Sequence, residues 1–192
     1  MTARIRTGIY GGSFNPIHNG HIAIAKSMLE GGMVDEVWMM VSPQNPLKPS
    51  GSLADDKTRL GMAKAALEGV KGVEACSYEF GLPRPSYTWN TLCHLSADYP
   101  NREFKLMIGA DNWLVFDRWR NADDILKHYS ILIYPRRGSE INAHSLPANV
   151  SLADTGLYDV SSTMVRSMVK KGIDISPFVP RQIVGMVENI YK

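Results

Sequence analysis

The apolar run Ile5, Thr7, Ile9 and Tyr10 ends at a glycine pair, and Ile22, Ala25 and Met28/Leu29 then follow at helical spacing. The stretch between them, Gly11–His21, reads GGSFNPIHNGH. A strand that turns through glycine into a helix N-terminus leaves backbone N–H groups without partners at the positive end of a helix dipole. Anions bind favourably there. Gly11 and Gly12 let a phosphate approach the backbone with no Cβ in the way. His18 and His21 stand three apart and share one face at the helix start. Two imidazoles aimed at an anion donate hydrogen bonds that strengthen as charge builds in a transition state. Paired histidines also occur in metal sites, but no HExxH motif or further ligand cluster accompanies these, so no protein-held metal is expected.

Composition narrows the class. The 192 residues are 44% hydrophobic and 21% charged, the balance of one globular domain over 1–192. Twenty-one Lys and Arg against nineteen Asp and Glu give a net charge of +2, which argues for no nucleic-acid surface. Cys76 and Cys93 lack the spacing of a disulfide framework or a zinc site. No apolar run has the length of a membrane span and no leader pattern is visible, so a cytoplasmic protein without membrane contact is expected.

Along the chain, strand-like runs alternate with helical patterns. Glu36–Ser42 is a second apolar run, followed by the proline-stiffened loop 43–49 that carries Lys48. Asp55 or Asp56 suits a cap for a helix with Leu60, Ala63, Leu67 and Val70 on its apolar face. Val73–Cys76 reads as a third strand, and Trp89, Leu92, Leu95 and Tyr99 as a helix stripe. Glu103–Ile108 and Ser130–Tyr134 read as the fourth and fifth strands, with short helices between. This order predicts an α/β protein with a doubly wound, mostly parallel sheet over 1–138. Ligands in such sheets bind beyond the carboxyl ends of the strands. GGSFNPIHNGH, the lysine loop, GADNW (109–113) and YPRRG (134–138) each follow a strand end, so they are expected to share one crevice.

After residue 139 the pattern changes. Ser151–Asp154 and Tyr158–Val160 read as short strands. Ser161-Ser162-Thr163-Met164-Val165-Arg166 then opens a helix, and Pro180 opens a final one with Ile183, Val187 and Ile190 buried. Hydroxyls and a guanidinium at a helix N-terminus suit either an ordinary cap with a solvated arginine or a second phosphate cradle.

GGSFNPIHNGH resembles the signature of the HxGH nucleotidyltransferase superfamily. Together with SYTWNTL (86–92), GADNW, a later Arg118-Trp119, YPRRG and DVSSTMVR (159–166), the chain resembles the bacterial nicotinate-mononucleotide adenylyltransferases nearly end to end. The resemblance implies a Rossmann-like fold with a small C-terminal helical extension. It implies a reaction in which ATP and nicotinate mononucleotide give nicotinate adenine dinucleotide and pyrophosphate, with Mg²⁺ held mainly through the ATP phosphates. By position it implies that Gly11, Gly12, Ser13 and Phe14 line both nucleotides. His18, His21 and Lys48 would contact ATP phosphates, and Ser162, Thr163 and Arg166 would hold the β- and γ-phosphates. Gly109 and Asp111 would sit at the adenosine. Tyr87 and Thr88 would meet the nicotinate carboxylate largely through backbone amides, Trp119 would stack on the pyridine ring, and Arg136 would touch either nucleotide. His18, His21 and Arg166 would be the catalytic groups. Three positions depart from the family's pattern: Asn15 and Asn90 stand where Asp is commoner, and the loop reads NPLKP without His before Lys48. Pantetheine-phosphate adenylyltransferase and a non-catalytic nucleotide sensor of the same fold are the alternatives. A homo-oligomer is left open.

Overall fold

A computed structural model describes residues 3–43 and 53–192. Six strands form one sheet in the order β3-β2-β1-β4-β5-β6, and every neighbouring pair is parallel. The strands are β1 (Ile5–Gly12), β2 (Glu36–Val41), β3 (Val73–Cys76), β4 (Arg102–Gly109), β5 (Ser130–Tyr134) and β6 (Val150–Leu152). The expected first five strands are present. Tyr158–Val160 is not a strand: it runs as irregular chain past the start of the first helix. Tyr158 and Val160 instead close over Gly20, where an added Cβ would lie 2.8 Å from Val160 Cγ1 and 3.1 Å from Tyr158 Cβ.

Both faces of the sheet are covered, because alternate side chains of each strand point to opposite faces. On one face Tyr10, Met39, Met107 and Leu132 pack with helices α1 (Asn19–Glu30), α2 (Asp56–Leu67), α6 (Ser162–Lys170) and α7 (Val184–Tyr191). On the other, Ile9, Met40, Leu106 and Ile133 pack with α3 (Thr88–Asp98), α4 (Ala110–Trp113) and α5 (Ala122–His128). Tyr10 and Tyr191, from opposite ends of the chain, share one core. Among the described residues no helix is long and apolar enough to cross a membrane.

The helix stripes come out slightly rotated from expectation. Asp55 caps α2, its carboxylate accepting from the Thr58 N–H at 3.0 Å. The helix then buries Arg59, Met62, Ala63, Ala66 and Leu67, with Leu60 at the margin of the core. In the last helix Tyr191 takes the buried place, and Ile190 is only half-buried. Pro180 precedes a 3₁₀ turn over Arg181–Ile183 that leads into α7.

Candidate active site

Crossovers from β1 run to β2 on one side, and β4 flanks β1 on the other. The sheet therefore reverses its winding between β1 and β4, the place where ligands bind in open α/β sheets. The Gly11–His21 turn leaves the sheet at that point. It separates two hollows. The larger, about 380 Å³, is lined by Gly11 and Gly12, by Ser86, Tyr87 and Thr88 before and at the start of α3, and by Trp119. The smaller, about 170 Å³, is lined by His18, Gly20 and Arg136 together with Leu157–Val160.

The two histidines are held as a pair. Their rings stack with centroids 3.6 Å apart, and the His18 backbone N–H donates to His21 Nδ1 at 3.2 Å. His18 is 3% exposed and its Nδ1 has no hydrogen-bond partner. Burial, helped by the charge on Arg136, pushes its pKa down to about 3, so the ring is neutral at physiological pH. His21 lies half-buried with its ring edge against Phe14, centroids 5.0 Å apart. Phe14 itself is 2% exposed with φ +42°, and its ring belongs to the core beneath the turn.

The DVSST segment reaches the same turn from the other end of the chain. Ser161 caps α6 by accepting from the Met164 N–H at 3.1 Å. Ser162 Oγ donates to the Pro16 carbonyl at 2.8 Å, and Arg166 donates to the Asn15 carbonyl at 2.7 Å and to Thr163 Oγ1 at 3.3 Å. The two helix N-termini expected to grip phosphate, α1 and α6, are thus fastened together through the Asn15-Pro16 backbone. Asn15 is buried, and its Oδ1 accepts from the Tyr191 hydroxyl at 2.6 Å and from the Ala54 N–H at 3.1 Å. A side chain at this place serves as an acceptor, which an amide oxygen supplies as well as a carboxylate does.

Gly109 ends β4, where an added Cβ would collide with the Asp111 carboxylate and sit 3.2 Å from Arg136 Cγ. Asp111 and Arg136 face each other at 3.9 Å. Arg136 belongs to the smaller hollow beside His18 and does not line the larger one with Trp119. Ser13 turns its carbonyl to Arg59, which donates to it at 2.6 Å. Lys48 and its loop lie outside the described residues.

Several residues here were given no role from the sequence. Arg59 is fully buried and donates to the carbonyls of Ala54, Ser13, Ser42 and Pro43 while pairing with Asp56 at 2.6 Å. It ties the signature turn to the end of β2. Glu79, also buried, lines the larger cavity and accepts from the Thr91 hydroxyl at 2.8 Å. Arg118 and Arg120 line that cavity too. A helix-face arginine and a loop glutamate look like solvated surface until the fold places them.

A glycine turn at the switch point of a doubly wound sheet, with paired histidines and a second helix N-terminus fastened to it, is the arrangement expected of a nucleotidyltransferase. The family model Cytidylyltransferase-like matches residues 9–168. Within that class, the probable nicotinate-nucleotide adenylyltransferase of Bacteroides fragilis (strain YCH46) is 44% identical over 192 residues, covering 98% of this chain and 96% of that protein. The protein of the same name from Flavobacterium johnsoniae is 39% identical, covering 98% of this chain and 100% of that one. The chain belongs to the nicotinate-nucleotide adenylyltransferase family. Its fold matches that of Plasmodium falciparum nicotinic acid mononucleotide adenylyltransferase complexed with NaAD, at a TM-score of 0.80 and 17% identity over 98% of each chain. The same enzyme complexed with APC gives a TM-score of 0.78 at 18% identity, over 97% of each chain.

Proposed function

We infer that the chain joins ATP and nicotinate mononucleotide into nicotinate adenine dinucleotide, releasing pyrophosphate, as an adenylyltransferase of NAD biosynthesis. The observation that carries this reading is the pair of hollows meeting at the Gly11–His21 turn. Two nucleotides bound one in each would bring their phosphates together over the histidines. The larger hollow, with Trp119 and the Tyr87-Thr88 start of α3, suits the pyridine mononucleotide, whose ring stacks on an indole. The smaller hollow, beside Gly109, Asp111 and Arg136, suits the adenosine of ATP.

In the reaction a phosphate oxygen of the mononucleotide forms a bond to the α-phosphorus of ATP. The bond from that phosphorus to the bridging oxygen breaks, and pyrophosphate leaves with the electron pair. The nucleophile is already an anion and needs no general base, so the protein's part is alignment and charge stabilisation. His21 and neutral His18 each donate one N–H to the transferring and departing phosphates. Thr163 and Arg166 hold the β- and γ-phosphates together with the backbone N–H groups that open α6 at Ser162, whose hydroxyl is committed to Pro16. The grips consist of imidazole and backbone N–H groups, a guanidinium and a hydroxyl, a set rich in donors that suits phosphate and offers a cation little. Mg²⁺ would accordingly enter as MgATP on the triphosphate oxygens, neutralising charge on the leaving group.

Pyrophosphate release from MgATP, measured with nicotinate mononucleotide, nicotinamide mononucleotide or phosphopantetheine as acceptor, tests the reading. Release with nicotinate mononucleotide is the expected result. Release with phosphopantetheine alone would reassign the substrate, and none with any acceptor would make the chain a nucleotide sensor.

A further inference from the structure

The larger cavity is charged and polar in a way that the reaction itself does not require. Two buried polar atoms on its wall, Trp119 Nε1 and Ser86 Oγ, have no hydrogen-bond partner among the described residues. The indole nitrogen can only donate. At the same wall α3 begins at Thr88, and the preceding Tyr87 makes no side-chain cap bond to the first-turn N–H groups. Among the described residues, Arg118 and Arg120 are the cations of the lining and Glu79 is its one acidic residue. Arg120 is held in place: its guanidinium lies over the Tyr87 ring, 4.7 Å from the centroid, and stacking of this kind fixes the plane of the fork. Glu79 is committed on one side only. Its Oε1 accepts from Thr91, and its Oε2 has no partner among the described residues. Burial pushes the Glu79 carboxyl up, and its hydrogen bond from Thr91 pulls the other way.

A pyridine carboxylate and a pyridine carboxamide have nearly the same shape, so walls alone cannot separate them. Charge and the direction of hydrogen bonds can. An amide NH₂ placed against Trp119 Nε1 and a guanidinium would meet donors with donors, while the Ser86 hydroxyl can serve either group. Glu79 Oε2 is the group that would welcome it.

We propose that Arg120, stacked on Tyr87 at the wall formed by Trp119, Ser86 and the start of α3, is the specificity-determining residue that makes this cavity take an anionic ring substituent over the neutral amide. The inference rests on the larger cavity being the mononucleotide site. Arg120 supplies the charge that outweighs Glu79, and the choice between acid and amide is a balance between these two side chains. Removing the guanidinium takes away the cation stacked at that wall and moves the preference toward the amide.

The test is kcat/KM for nicotinate and nicotinamide mononucleotides at saturating MgATP, in wild type, Arg120→Met and Arg120→Lys. In Arg120→Met the acid-to-amide ratio is expected to fall by about tenfold or more, chiefly through KM for the acid and with KM for MgATP unmoved. Arg120→Lys, which keeps the charge, is expected to retain most of the preference. Added salt should raise KM for the acid in wild type and not in Arg120→Met, a dependence that packing alone would not produce. A ratio in Arg120→Met within about twofold of wild type would overturn the inference. So would equal loss in the Lys and Met variants, which would place the effect in support of Tyr87. Wild type that adenylylates neither mononucleotide would instead remove the parent reading, and this inference with it.

Discussion

His18 is a titratable group that folding strips of its proton. The unfolded chain takes up that proton near pH 6.5, and the folded protein holds out to about 3 because burial penalises the charged ring. Between those values the unfolded state binds more protons, so stability declines as pH falls through the window. Thermal denaturation at a series of pH values should therefore show wild type losing more Tm than His18→Gln between pH 6.5 and about 3, and parallel curves would show that His18 is not the source. His21 carries a different expectation. As a transition-state donor, its replacement by Ala should lower kcat by about 10²–10³, with the fold intact by circular dichroism; a loss of only a few-fold would place it outside the reaction. The histidine pair was visible in the sequence because glycines, a strand and helical spacing surround it. The part played by Asn15 was not, since its partners Tyr191 and Ala54 are distant in the chain and only the fold brings them to one oxygen.

Helix α2 shows where an element's sequence and its role separate. Its stripe was legible as apolar, yet its largest fully buried side chain is Arg59. The guanidinium sits among carbonyls of the signature turn, the end of β2 and the start of the helix itself. Arg59→Met would leave those carbonyls without donors and Asp56 without its buried partner, so a loss of about 3 kcal/mol is expected in urea denaturation. An effect under about 1 kcal/mol would mean that water enters to satisfy the carbonyls. The strands were legible because a parallel sheet covered on both faces demands continuous apolar runs, which is how Glu36–Val41 and Ser130–Tyr134 read. The 158–160 segment has similar composition but packs side chains on Gly20 without pairing its backbone in the sheet, a difference that no local pattern encodes. The same holds for Glu79, Arg118 and Arg120, which stand in irregular chain or short 3₁₀ turns where periodicity has nothing to report.

At the scale of the molecule, the two ends of the chain meet at the site. β1 delivers the signature turn, and α6 and α7 return on the same face of the sheet to fasten it through Arg166 and Tyr191. Tyr191→Phe removes a buried hydroxyl donor while keeping the ring. It is expected to cost about 1 kcal/mol of stability and to lower kcat more than KM for MgATP, because the turn that carries His18 and His21 loses a restraint. Steady-state kinetics alongside denaturation would check this, and a stability loss with unchanged kcat would confine Tyr191 to the core. The clasp also has a consequence for folding: the Tyr191 hydroxyl lies 176 residues from the Asn15 oxygen it meets, and closing a loop of that length is entropically costly, so this contact forms with the packed sheet and not ahead of it.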